Sequence, residues 1–302
     1  MSALICGSLA YDTITNFPGR FAQQILPDQV HILNVSFLVP TLRREFGGCA
    51  GNIAYTLRLL GGEPVVLAAL GADGQDYVER LRSWGATTDH VRVVADSYTA
   101  QAIIITDADN NQITAFHPGA MQHAHLSAIP ARGDVRIAIV APDGREAMLG
   151  HAEQLGAAKI PFVFDPGQGL PMFDGPELNR FLELATWVAV NDYEARMLCD
   201  RTGQTLQALS ESALAGIVVT LGADGCEVWS GGERTHVPGV PASEVVDPTG
   251  CGDAFRGALL FGLEQGWPLQ RCARLGNRIG ALKIAHRGGQ NHSFDTLVDD
   301  GI

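Results

Sequence analysis

The feature that most constrains this chain is a hydrophobic period that switches repeatedly between strand and helix. Short apolar runs at residues 3–7, 64–71, 135–141, 160–164, 187–190 and 217–221, bounded by glycine, proline or aspartate, read as strands. Segments of helical period at 50–60, 75–84, 146–155, 191–199, 252–265 and 269–285 alternate with them. Strands that are apolar throughout need cover on both faces, and helices used as crossover connections supply it. The expected fold class is therefore α/β, an α/β/α arrangement around a mainly parallel sheet, with ligands at the carboxyl ends of the strands. Residues 12–37 and 99–116 break the alternation, reading as strands and turns with no helix between. In the second segment, 102–106 and 112–116 flank Asp107-Ala108-Asp109-Asn110-Asn111, an interval suited to a hairpin turn. These pieces should form a small sheet outside the main layer, either a lid beside the strand ends or a plain edge hairpin.

Several function classes are closed off by composition. With 21 basic against 33 acidic side chains the net charge is −12, so nucleic acid is a poor partner. At 46% apolar and 18% charged, the 302 residues hold ample material for a core. No apolar run approaches the roughly 18 residues that span a bilayer, and residues 1–10 lack a signal peptide's basic start and long apolar stretch. The expectation is a soluble, cytoplasmic protein with no membrane partner. The cysteines at 6, 49, 199, 226, 251 and 272 include no pair at metal or dithiol spacing, so they are expected to be reduced and mostly buried. His123 and His125 are spaced to share one strand face, but without a third ligand nearby a polar loop is the preferred reading. The two lysines, Lys159 and Lys283, follow no glycine-rich loop, which excludes a P-loop nucleoside triphosphatase.

The most informative run is Asp247-Pro248-Thr249-Gly250-Cys251-Gly252-Asp253-Ala254-Phe255, leading into an apolar helix. Glycines where a helix begins leave backbone N–H groups open to a phosphate at the positive end of the helix dipole. Asp253 in the first turn suits two roles, a capping carboxylate or a base that takes the proton of an attacking hydroxyl.

Here the chain resembles the ribokinase family, the PfkB carbohydrate kinases, whose signature D-T-x-G-x-G-D opens a helix; the match carries an inserted-looking proline, Pro248, at the signature's second position. The resemblance implies a ribokinase-like fold, one kinase domain over 1–302 with lid segments inserted at about 12–38 and 98–118. It places the catalytic base on Asp253 and the anion hole on the backbone of Gly250, Cys251 and Gly252. A second run, Gly47-Gly48-Cys49-Ala50-Gly51-Asn52, is by itself a turn before a helix, but it matches the family's G-G-x-x-x-N sugar motif. Carried over, Gly48 and Asn52 hold the vicinal hydroxyls, with Ser8 nearby and Asp12, at the end of the first strand, accepting from both. Asn191-Asp192-Tyr193-Glu194 matches N-x-x-E, which implies magnesium organised through water by Asn191 and Glu194. Thr220-Leu221-Gly222-Ala223-Asp224-Gly225 resembles the nucleotide loop, and the family puts ATP against Asn191, Thr220, Gly222, Gly225, Thr249 and Asn277. Potassium at Asp247 is implied by the family alone.

The similarity extends to the bacterial adenosine kinases of this family through Asn16-Phe17-Pro18-Gly19-Arg20-Phe21, Leu33-Asn34-Val35-Ser36-Phe37-Leu38-Val39 and Phe116-His117-Pro118-Gly119-Ala120-Met121. It implies transfer of the γ-phosphoryl group of ATP to the 5′-hydroxyl of adenosine, a purine-salvage step, in a homodimer joined through the lid. Phe37 and Phe116 are the candidate stacking rings for the base, with Ser36 and Gln168 as polar partners. The departure is Ala102, where adenosine-using relatives can carry an aromatic ring. That leaves another nucleoside, or a sugar such as ribose or fructose, as the alternative acceptor.

Overall fold

The computed structural model describes residues 2–25 and 34–294. In chain order its first half runs β1 (Ser2–Cys6), β2 (Ala10–Asn16), α1 (Phe21–Gln24), β3 (Thr41–Gly47), α2 (Cys49–Leu59), β4 (Pro64–Gly71), α3 (Gln75–Ser83), β5 (Val91–Val94), β6 (Ala100–Thr106), β7 (Gln112–His117) and β8 (Val135–Val140). The second half runs α4 (Arg145–Ala158), β9 (Phe162–Phe164), α5 (Gly175–Leu184), β10 (Trp187–Asn191), α6 (Asp192–Thr202), α7 (Leu206–Ser210), β11 (Gly216–Thr220), β12 (Gly225–Ser230), β13 (Glu233–Pro238), α8 (Cys251–Glu264) and α9 (Leu269–Lys283).

The apolar strands build a nine-stranded sheet in the order β13-β12-β11-β10-β9-β8-β1-β4-β5, parallel from β11 to β5. Side-chain alternation along β1 divides the core. Ala3 and Ile5 join Ile53 and Leu57 of α2, Leu81 of α3 and Phe255 and Leu259 of α8 on one face. Leu4 and Cys6 join Met148 and Leu155 of α4, Phe181 of α5 and Leu198 of α6 on the other. The fold has the α/β layering expected from the alternation, in the ribokinase-like form that the resemblance implies, and its strand ends at β8, β9, β10 and β11 all open onto one cleft.

The small sheet has the order β3-β2-β6-β7, with β2 and β6 parallel and the outer pairs antiparallel. It departs from expectation in several places. Asp12 is not at the end of the first strand: β1 stops at Cys6, Gly7-Ser8-Leu9 lead the chain out of the main sheet, and Asp12 lies in β2. A four-residue helix, α1, interrupts the segment expected to lack one, and Leu33 falls outside the described residues. β3 also joins this sheet, although residues 41–47 alternate charged and apolar side chains too weakly to announce a strand. His123 and His125 share no strand face, because residues 119–126 form a 3-10 helix, whose three residues per turn set positions two apart on different sides.

The β12–β13 hairpin and α5 add to the main layers without an apolar run to mark them. β13 is exposed at every position except Val237, so it lacks the buried character that identified the other strands. Under the second face, Phe164 and Phe181 stack at 4.3 Å between centroids, with the Phe173 ring edge-on to Phe181. Phe181→Ala should therefore lower stability by ~3–5 kcal/mol, read as a lower denaturant midpoint, while the apparent KM for ATP is unchanged.

Candidate active site

The site begins at the first turn of α8. Gly250 caps that helix at φ 77°, a left-handed conformation, and a Cβ there would approach the Gly289 backbone to 3.0 Å. The amide of Cys251 is taken up by the Pro248 carbonyl at 3.1 Å, so the three expected anion-hole amides are not equivalent. The amides of Gly252 and Asp253 belong to the first helical turn, where no carbonyl four residues back meets them, and both residues line the cleft at the helix start.

Asp253, half-buried, is fixed by Asn52, whose Nδ2 donates to Oδ2 at 2.8 Å. Gln290 Nε2 donates to Asn52 Oδ1 at 3.3 Å and to the Tyr77 hydroxyl at 2.7 Å, and that hydroxyl donates to the Gly47 carbonyl at 2.5 Å. A run of buried hydrogen bonds thus joins Asp253 to the glycine turn before α2. Ser8 holds the other side of that turn, its hydroxyl accepting from the Cys49 amide at 3.2 Å and its carbonyl from Ala50 at 3.0 Å. Gly48, at φ 84°, passes so close to Ser8 and Ala10 that a Cβ would lie 2.6 Å from their backbones, and a Cβ on Gly47 would overlap the Asp12 carboxylate. The two runs singled out in the sequence therefore meet, with Asp12, Asp253 and Asn52 around one space.

A cleft of about 530 Å³ extends from Asp253 and Gly252 past Asp165 and Gln168 to Glu194 and Gly222. Asn191 and Glu194 make a capping box for α6: Asn191 Oδ1 accepts from the Glu194 amide at 2.7 Å, and Glu194 Oε2 from the Asn191 amide at 2.8 Å. Thr220 ends β11 beside Gly222, its hydroxyl 3.4 Å from the Val190 carbonyl. Gly225 is set back in the β12 turn, where a Cβ would strike the Val237 carbonyl. Asn277 lies outside the cleft lining, its amide nitrogen donating to the Val237 and Pro238 carbonyls at 3.1 and 3.0 Å. Thr249 donates its amide to Asp247 Oδ1 at 2.9 Å, and Gly288 donates to Asp247 Oδ2 at 2.9 Å. On the small sheet Phe116 is exposed; in the segment that leads into β3, Ser36 is exposed and Phe37 packs on Phe17 and Phe21 at 4.9 and 5.1 Å.

The pfkB family carbohydrate kinase model matches residues 19–297. The chain belongs to that family. A Burkholderia thailandensis nucleoside kinase solved with inosine is 51% identical, with TM-score 0.87 over 97% of this chain and 93% of that one. A nucleoside kinase of Methanothermobacter thermautotrophicus is 30% identical over 87% of this chain and 86% of its own length. An adenosine kinase from Sinorhizobium meliloti, at 22% identity and TM-score 0.71 over 96% and 95% of the two chains, shares the fold alone. The likeness to adenosine kinases read from the sequence is thus the more distant one. This pfkB kinase is an ATP-dependent phosphotransferase acting on a hydroxyl group.

The electrostatics of the kinase site turn on a group that the motif reading passed over. Arg256, 5% exposed, forks onto Asp165 with Nε–Oδ2 at 3.1 Å and Nη2–Oδ1 at 3.2 Å. The same guanidinium donates to the Ala189 carbonyl at 3.2 Å and lies 3.9 Å from Glu194 Oε2. Burial opposes its charge, but Asp165 first, then Glu194 and Asp253, hold its pKa above the ordinary arginine value. A lone arginine among the apolar residues of 251–264 was the available signal.

Burial first, and the nearby Asp165 carboxylate, push Asp253 up to about 6, while Asn52 and Arg256 act the other way. Asp12 is also raised to about 6, by burial and by the charges of Asp253, Glu45 and Asp247. Each carboxyl holds its proton more tightly folded than unfolded, so its contribution to stability is full below its ordinary value of 3.8 and is lost as pH rises through about 6. Activity has the opposite sign, since a base must be deprotonated. We expect kcat/KM to fall as pH drops through about 6 and, in Asn52→Leu, the midpoint to move up, because the side-chain donor that favours the Asp253 carboxylate is gone. A pH–rate profile of both proteins measures this.

Proposed function

We propose that this pfkB kinase phosphorylates purine nucleosides, transferring the γ-phosphoryl group of ATP to the 5′-hydroxyl, with adenosine among its acceptors and Asp253 as general base. The observation that carries the reading is the position of Asp253: its carboxylate stands in the first turn of α8 next to the open amides of Gly252 and Asp253, with Asn52 and Asp12 alongside. A hydroxyl seated between Asp12 and Asp253 can pass its proton to Asp253 while the amides neutralise charge on the phosphoryl oxygens.

The acceptor class has two supports. One is the inosine-bound relative at 51% identity. The other is the Phe116 face: Ala102 pairs with Phe116 across β6 and β7, and an alanine there leaves the ring uncovered at 54% exposure for a base to stack on. Because Phe37 is engaged with Phe17 and Phe21, a single ring rather than a two-sided slot faces the base, which favours a broader nucleoside range over strict adenosine specificity. The small sheet would act as the lid. Its apolar Ile103 and Ile113 are exposed on the face opposite Phe116, which supports the expected pairing of two copies through that sheet.

Magnesium fits the nucleotide half of the cleft in the form expected. Among the described residues no group of three or more His, Cys, Asp or Glu side chains gathers for direct ligation. Glu194 and Asn191 offer hard oxygen donors at the cleft edge, enough to hold the waters of an ion whose remaining ligands are phosphates. When bound, that ion neutralises charge on the transferred phosphoryl group.

Asp253→Asn should lower kcat by about 10²–10⁴ with adenosine and inosine while nucleoside binding persists, since the amide keeps the shape but takes no proton. At pH 8 the same variant should melt no lower than the parent, because the desolvated charge is gone. Adenosine, inosine, ribose and fructose 6-phosphate assayed side by side test the acceptor. Turnover of the sugars above the nucleosides would overturn the reading, and unchanged kcat in Asp253→Asn would remove the base.

A further inference from the structure

Lys283, one of two lysines in the chain, is fully buried. It is the last residue of α9, and its Nζ turns back to donate to the Asp247 carbonyl at 2.8 Å and the His286 carbonyl at 3.2 Å. Around it two loops are knitted together. The amides of Val246 and Asp247 donate to the Ile284 carbonyl at 2.9 and 3.0 Å, and the Asp247 carboxylate accepts from Thr249 on one oxygen and Gly288 on the other.

The potassium ion implied for Asp247 does not fit this arrangement. A monovalent ion there would need the main-chain carbonyls of the two loops and the Asp247 carboxylate. The Asp247 and His286 carbonyls already face an ammonium, both carboxylate oxygens already face N–H groups, and the position already carries a positive charge. We propose that the Lys283 ammonium stands in for the monovalent cation, so that phosphoryl transfer by this chain needs no potassium. An ammonium and a potassium ion carry the same charge, are close in size and take the same oxygen partners. Tethered to α9, this one is present at every turnover and gives up no hydration shell to bind.

Its position gives that charge a use. The Asp247 carbonyl it holds opens the turn that runs through Pro248 to Gly250, whose left-handed conformation aims the first amides of α8. Burial lowers the Lys283 pKa while the charges of Asp247 and Asp253 favour its protonated form, and that charge adds positive potential at the end of α8 where the phosphoryl group would sit. The inference rests on the kinase activity and on this geometry, not on which acceptor is used.

The test replaces potassium by tetramethylammonium at constant ionic strength and follows both kcat and melting temperature. For the wild-type protein we expect less than about a twofold change in kcat and no shift in melting temperature, because an ion that does not bind cannot stabilise. Lys283→Met opens the carbonyls and removes the charge. In tetramethylammonium it should lose roughly tenfold or more in kcat, and potassium or ammonium chloride should restore several-fold activity and raise its melting temperature. A wild-type enzyme stimulated about tenfold by potassium would overturn the proposal. So would a folded Lys283→Met with neither kcat nor melting temperature responsive to these ions, since a lysine that merely pins two loops leaves no cation site behind. The wild-type result decides even where the variant does not fold, and the melting arm decides even where no tested acceptor turns over.

Discussion

The buried fork between Arg256 and Asp165 is the contact on which the placement of the site depends. It ties α8 to the end of β9, and through the Ala189 carbonyl and Glu194 it ties the same helix to β10 and the start of α6. Two charges taken out of water gain little net stability, and an apolar pair of similar volume commonly does as well. What the fork provides is position. With the guanidinium one helical turn from Asp253, the first turn of α8 cannot slide along the strand ends without breaking two parallel hydrogen bonds in a dry environment. The base, the open amides and the nucleotide edge of the cleft are held in one frame by a contact that contributes to each.

Much of this architecture was legible because its chemistry is local. The main sheet was readable where strands are apolar at every position, as in 64–71 and 137–140, since burial on both faces leaves no other composition. The starts of α2 and α8 were readable because a glycine pair followed by an apolar helix has few other uses. The pieces that escaped are those whose residues carry no sign of what they pack against. β13 is polar because only one edge of it meets the sheet, and Asp12 was misplaced because nothing in residues 7–9 announces that the chain leaves one sheet for another. Arg256, Gln290 and Lys283 are polar side chains with buried destinations, and a sequence shows the side chain but not the destination.

The small sheet shows how ordinary strand pairing can bring substrate groups over a cleft. β2 pairs with β3 in one direction and with β6 in the other, so that Asp12, the Gly47 turn and Phe116 are carried on a single layer. Gly47 leaves room for the Asp12 carboxylate on that layer, which couples the geometry of the lid root to the acceptor end of the site. A rigid-body tilt of this layer would move Asp12 and Phe116 together, while Asp253 stayed with α8 on the main sheet.

The hydrogen-bonded run from Asp253 through Asn52 to Gln290 joins residues separated by 201 and 238 positions. Contacts of that span close only after most of the chain has been ordered, because the entropy of bringing such distant segments together must be met before they add stability. The base and the amide that orients it thus come from opposite halves of the chain, and neither half carries a working acceptor site by itself. A ligand that touches both α2 and α8 is a clasp across the 201 positions between Asn52 and Asp253, so filling the site fastens the two halves to each other.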